Sequence, residues 1–152
     1  VGQTPDIKVR PVLQSDYPQI LRISREVISK AFPEEVFKED KIKEVFNRAR
    51  DTDGFYGIVL EIDKVIRGIL FLSISEIFYI QKKFCLCLAI FVEEKYRRYS
   101  MTLFNAMEFI SRQEQVSFIS VHRMVGLSPK GMDRLLNRLG FKEKEIGYWK
   151  EL

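Results

Sequence analysis

Where the long apolar run Phe84 to Val92 ends, the sequence continues Glu93-Glu94-Lys95-Tyr96-Arg97-Arg98-Tyr99-Ser100-Met101-Thr102. The apolar run reads as a strand covered on both faces. Beyond the basic turn, Leu103, Ala106, Met107 and Ile110 recur at helical spacing, so a helix is expected from about Tyr99 to Arg112. A helix that begins directly after a short turn presents unpaired N–H groups and the positive end of its dipole. Both stabilise a phosphate or pyrophosphate. Each charge-assisted hydrogen bond there contributes on the order of 1.5–3 kcal/mol. Lys95, Arg97 and Arg98 bring cationic side chains to the same spot. Taken alone, the same residues also describe a basic, solvated surface loop.

Other reactive groups are few. Cys85 and Cys87 stand two apart in the expected strand. Extended residues at that spacing lie roughly 6.6–6.8 Å apart, at the limit of what a disulfide spans. With His122 the only histidine, a Cys/His zinc site lacks ligands. The expectation is two buried thiols, with neither disulfide nor metal. An imidazole titrates near pH 6.5, which makes His122 a candidate base at neutral pH.

The elements that must position these groups follow from periodicity. Ile7 to Val12 alternates as an opening strand, and Ser15-Asp16-Tyr17-Pro18 reads as a helix start capped by Ser15. Ile20, Ile23, Val27 and Ala31 follow at helical spacing. A second helix is expected over Glu34 to Arg50, with Val36, Phe37, Val45, Phe46 and Ala49 on its inner side. Phe55 to Ile62 and Val65 to Ser75 form a hairpin about Asp63-Lys64. Val116 to Val121 reads as a strand, Pro129 to Leu139 as a helix and Phe141 to Leu152 as the strand that ends the sheet. The order β-α-α-β-β-β-α-β-α-β describes one α+β domain, residues 1–152, with a central mixed sheet flanked by helices. Ile77-Phe78-Tyr79-Ile80 and Trp149 read as core or interface.

The 152 residues, 46% hydrophobic and 30% charged, match an ordinary globular domain and exclude disordered, collagen-like and coiled-coil chains. Apolar runs are strand-sized and too short to span a membrane. No basic-then-apolar leader opens the chain, so a cytoplasmic protein is expected. Charge is uneven: residues 1–94 hold 14 basic and 15 acidic side chains, residues 95–152 hold 11 and 6. A basic C-terminal third suits an anionic ligand.

The whole order resembles the Gcn5-related N-acetyltransferase (GNAT) family. Ile7-Lys8-Val9-Arg10-Pro11 followed by Ser15-Asp16-Tyr17-Pro18-Gln19-Ile20 is similar to that family's first strand and helix entry. Ile90 to Thr102 resembles its fourth strand, acetyl-CoA loop and third helix, and Leu135-Leu136-Asn137-Arg138-Leu139-Gly140-Phe141 the end of its fourth helix. The resemblance implies a GNAT-like acyl-CoA N-acyltransferase fold whose fourth and fifth strands splay apart to admit a pantetheine arm. It implies an acetyl-CoA co-substrate held by main-chain groups near Phe91 and Val92 and by Arg97, Arg98, Tyr99, Ser100, Met101 and Thr102. The family's loop reads Gln or Arg, two residues, Gly, one residue, then Gly or Ala. Arg97 fits its first position, while Ser100 and Thr102 occupy the small-residue positions.

The implied reaction is attack of an amine, on a small molecule or peptide, upon the acetyl thioester. Two groups often used for it are absent: Leu136 replaces the tyrosine acid of the fourth helix and Leu86 the glutamate base of the fourth strand. His122, Glu76 at the end of the third strand and Tyr148 in the final strand are the substitutes, with Tyr79 a further acid. The resemblance also admits a homodimer and a non-catalytic CoA-binding or interaction protein. Nucleic-acid binding through Arg97, Arg98, Arg123, Lys130, Arg134 and Arg138 has no recognition motif behind it and is not expected.

Overall fold

Hydrophobic alternation becomes a five-stranded sheet in the computed structural model, which describes residues 2–123, 130–144, 147, 148, 150 and 152. Its strands are β1 (Ile7–Pro11), β2 (Phe55–Ile62), β3 (Val65–Ile77), β4 (Lys82–Val92) and β5 (Phe118–Val121). Its helices are α1 (Tyr17–Ala31), α2 (Glu39–Asp51), α3 (Ser100–Gln113) and α4 (Met132–Arg138), with 3-10 turns at Gln14–Asp16 and Glu94–Tyr99. The strands lie side by side in chain order; β1 to β4 are antiparallel and β5 joins β4 in parallel, which makes the sheet mixed. Two compact units divide the chain, Val1–Val121 with the sheet and α1 to α3, and His122–Leu152 with α4.

The β2–β3 hairpin turns at Asp63 and Lys64, whose φ values of 51° and 65° supply the twist that a two-residue connection requires. Side chains then alternate across the strands. Val59, Ile69 and Phe71 pack with Ile20 and Ile23 of α1 and Phe46 of α2, while Leu60, Leu70 and Leu72 point the other way and are fully buried. On α3 the buried side chains are Leu103, Phe104 and Met107, and the helix lies against β2, β3 and β4. Burying each such side chain stabilises the fold by about 1.5–3 kcal/mol.

A charged cluster fixes the entry to α1. Arg10 on β1 donates to both carboxylate oxygens of Asp16, at 2.7 and 3.0 Å, and to Glu61 on β2 at 2.7 Å. Asp16 also accepts the Leu13 N–H at 2.7 Å. Ser15 is exposed and is not the cap; Asp16 holds the N-cap position of α1 without a side-chain cap bond, its carboxylate serving the preceding 3-10 turn, and Pro18 sits in the first turn as expected.

Three boundaries differ from the sequence reading. α2 begins at Glu39 rather than Glu34, because Lys38 is extended and Glu39 and Asp40 supply the acidic first turn; Val36 is therefore outside the helix and 82% exposed. α4 covers only Met132–Arg138; residue 129 lies outside the described residues. No described residue of 141–152 is in a strand, so Tyr148 is not a strand residue, and Trp149 lies outside the described residues. Phe78 and Tyr79, at the β3–β4 connection, are 96% and 73% exposed and not core.

Candidate functional site

β4 is the longest partner available to β5 and outruns it. β5 pairs in parallel only from Phe84↔Phe118 to Cys87↔Val121. One residue further, the β3–β4 register jumps from Leu72↔Cys87 to Phe71↔Ala89, so Leu88 is an extra residue, a β-bulge. Bulges bend a strand and disrupt pairing locally. From Leu88 to Val92, β4 has a strand partner on its β3 side alone among the described residues. β4 thus runs past the end of β5, from Leu88 to Val92, and leads into the basic turn. The side chain of Phe91 packs against the α1–α2 core and that of Val92 is buried.

The turn follows at once. Glu93 is anchored to β3 by its N–H, which donates to the Arg67 carbonyl at 2.9 Å, and its carboxylate meets Arg67 at 3.0 Å and Arg22 of α1 at 2.9 Å. Tyr96 N–H donates to the Glu93 carbonyl at 2.8 Å, and the Arg67 guanidinium lies 4.7 Å from the centre of the Tyr96 ring. Arg98 stacks on Tyr99 at 4.8 Å. Arg97 is exposed and has no ion pair among the described residues. Ser100 N–H donates to the Arg97 carbonyl, closing the 3-10 turn onto α3. The Thr102 hydroxyl donates back to the Tyr99 carbonyl at 2.6 Å, so its polar end is satisfied within the helix start. Met101 is half-buried beside it. An anion at this turn meets a positive helix end and three cationic side chains, Lys95, Arg97 and Arg98.

The candidate acid–base residues fall on separate parts of the chain. Glu76 is exposed and opposite Lys83 in the ladder. It lies roughly 13 Å along β3 from Leu72, which faces the bulge. His122 follows β5 by one residue, is exposed, and belongs to the second unit. Tyr148, in that unit, is 91% exposed. Leu86 stands opposite Ser73 on β3 and Ser120 on β5, apolar where a base would be.

Cys85 and Cys87 are free and buried, as the sequence led one to expect. Burial pushes the Cys85 thiol up, and burial together with the neighbouring Cys85 pushes Cys87 up to about 12, so neither is a nucleophile at neutral pH. Among the described residues no group of three His, Cys, Asp or Glu could hold a metal ion, and no helix is long and apolar enough to cross a membrane. An open groove of about 540 Å3 runs along α1, lined by Pro18, Leu21, Arg22, Arg25, Glu26 and Ser29; one helix supplies all of it, so it encloses nothing.

Two features escaped the sequence. The bulge at Leu88 has no glycine to announce it; its one trace is that the apolar run of β4 is about twice as long as β5. The Arg22–Glu93–Arg67 contact joins residues far apart in the chain and left no local signal.

Solved structures share this architecture over nearly the whole chain. A GNAT family acetyltransferase from Staphylococcus aureus subsp. aureus superposes with a TM-score of 0.66 at 17% identity, covering 96% of this chain and 98% of that one. The aminoglycoside N-acetyltransferase AAC(6')-Iy, solved in complex with CoA, gives 0.74 at 14% identity, with 99% and 98% covered. A protein described as a transcriptional regulator from Bacillus halodurans gives 0.79 at 13%, with 97% and 100% covered. No family model matches the sequence, and no curated protein matches it. The fold is therefore that of the solved GNAT acetyltransferases, shared at 14–17% sequence identity.

Proposed function

We propose that the chain binds acetyl-CoA along the open edge of β4 and transfers its acetyl group to an amine. The observation that carries this reading is the run of β4 from Leu88 to Val92, beyond its pairing with β5, straight into the basic Glu94–Tyr99 turn. A pantetheine arm is an extended chain with two amides, and an unpaired strand edge offers it alternating N–H and C=O partners. The turn and α3 start suit a pyrophosphate. The CoA-bound solved neighbour supports the same cofactor for this fold.

Bound acetyl-CoA supplies the thioester: the amine nitrogen forms the amide bond, the C–S bond breaks, the nitrogen gives up a proton and the thiolate gains one. The chain's part is orientation and polarisation. Main-chain N–H groups at a bulge no longer engaged in a ladder suit a developing oxyanion, a contribution that commonly exceeds acid–base assistance of about 10²–10⁴-fold. The acceptor is an amine on a small molecule or a peptide. His122, one residue beyond β5, is the proposed base, with Glu76 and Tyr148 as alternatives, Glu76 being four residues along β3 from Leu72.

A second reading, a CoA-binding or interaction protein without turnover, is favoured by Leu86 and Leu136 where the fold's usual acid and base would stand. A fold alone does not choose between them.

Calorimetric titration with acetyl-CoA and with CoA tests the binding, and an amine panel tests the transfer. Micromolar binding with turnover supports the enzyme; binding without turnover supports the second reading; no binding at millimolar concentration overturns the enzyme and leaves the second reading as an interaction protein. Replacing Arg97 and Arg98 with Ala should weaken CoA binding about tenfold or more and flatten its salt dependence.

A further inference from the structure

We infer that Arg67 is a positioning residue for the phosphate turn, acting through Glu93 and Tyr96, with Arg22 as its counterpart on α1. The inference rests on the CoA-binding reading for its functional meaning and on independent geometry for the device itself.

An acidic side chain at the mouth of an anion site is unfavourable unless something neutralises it. Glu93 is the first residue after β4 and stands directly before the turn. Its two carboxylate oxygens are each approached by a different arginine, Oε2 by Arg67 at 3.0 Å and Oε1 by Arg22 at 2.9 Å. Only 16% of the side chain is exposed. The Arg67 hydrogen bond ties the turn to β3, and Arg22 adds an ion pair from α1 that leaves Glu93 Oε1 without a hydrogen bond. Arg22 also donates to the Ile66 carbonyl at 3.3 Å, and the Gln19 side chain accepts the Ile66 N–H at 2.9 Å, so α1 is fastened to β3 at the same level.

Arg67 is aimed by the backbone. The β2–β3 register passes from Leu60↔Gly68 to Glu61↔Ile66, leaving Arg67 as the extra residue of a bulge. That bulge turns its side chain out of strict alternation. Its guanidinium then lies against the Tyr96 ring at 4.7 Å while bonding Glu93, so one planar group holds the first and the middle residue of the turn. Arginine suits this double task because it stacks and bonds simultaneously; lysine offers only a point charge.

Electrostatics and positioning make opposite forecasts for Glu93→Gln. Removing a negative charge beside the turn should strengthen binding of a polyanion a few-fold if charge alone matters. If Glu93 holds the turn in shape, CoA binding should instead weaken by about tenfold, the usual scale for residues acting through others. Arg67→Gln should weaken it similarly, whereas Arg67→Lys should recover part of the loss. Arg22→Gln removes a half-exposed side chain and leaves the fold least disturbed; it should cost about threefold.

The experiment pairs CoA titration with amide hydrogen exchange of the ligand-free protein. In Glu93→Gln and Arg22→Gln, exchange should rise about tenfold in peptides covering residues 93–102 and stay unchanged in β1 and β2. Unchanged exchange in that segment, or an even rise across the sheet with CoA affinity intact, overturns the inference, as does tighter CoA binding by Glu93→Gln. If wild-type protein fails to bind CoA while the local exchange still rises, the clamp stands and the CoA reading falls.

Discussion

Asp16 is a carboxylate with 4% of its surface exposed, and burial by itself would raise its pKa. The hydrogen bonds from Arg10 and from the Leu13 N–H outweigh that penalty and hold it below the usual carboxylate range. A carboxylate whose folded pKa is lowered contributes stability that is fully present above its unfolded pKa of about 3.9 and is lost as pH falls through the folded value. Urea midpoints of wild type and Asp16→Ala should therefore differ most near neutral pH, by a destabilisation of about 3–5 kcal/mol, and converge as the pH drops below 4. A gap that persists undiminished at low pH would show that lost packing, not charge, sets the effect. This residue also shows how far single positions were legible. Ser15-Asp16-Tyr17-Pro18 announced a helix start, but the N-cap position fell to Asp16, whose carboxylate is taken up by Arg10 from β1 and by the Leu13 N–H. The same limit hid Glu93, whose partners come from α1 and β3.

Strands and helices were more readable than their ends. β2 and β3 turn at Asp63-Lys64 as expected, although the bulge at Arg67 interrupts their alternation. Residues 34–38 were drawn into α2 by Val36 and Phe37, but backbone choice at Lys38 overrode that apolar signal. The family resemblance implied a splay of β4 and β5; the extra residue Leu88, just past the end of their pairing, left no local mark in the sequence. Register also explains a tight spot on β3. A Cβ on Gly68 would sit 3.0 Å from the Phe91 carbonyl oxygen, 3.1 Å from Val92 Cγ2 and 3.2 Å from Leu60 Cβ. Backbone and core cannot yield there easily, so Gly68→Ala should destabilise by about 1–3 kcal/mol in chemical denaturation. Because Phe91 and Val92 belong to the open edge, the same variant should also weaken CoA binding. Loss of stability with CoA affinity unchanged would place the edge elsewhere.

At the scale of the molecule, the likeness to solved acetyltransferases at below 20% identity fixes architecture and leaves activity to be measured. Every part of the proposed cofactor site, β4, the Glu94–Tyr99 turn and the start of α3, lies in the Val1–Val121 unit. A ligand that binds the folded form alone stabilises it by about 2.7 kcal/mol at a hundred times its Kd. For a chain of this length that corresponds to a rise in Tm of about 5–10 °C. CoA should therefore raise the melting temperature of the sheet, followed by circular dichroism, and added salt should shrink the rise because Lys95, Arg97 and Arg98 are exposed charges screened within about 10 Å at 0.1 M. If the two units melt in separate steps, the step that includes the sheet should shift and the α4 unit's should not. A shift confined to the α4 unit would move the anion site to that unit's own basic residues, Lys130, Arg134 and Arg138, and away from the β4 edge. No shift with millimolar CoA would leave the fold intact and remove the cofactor from it.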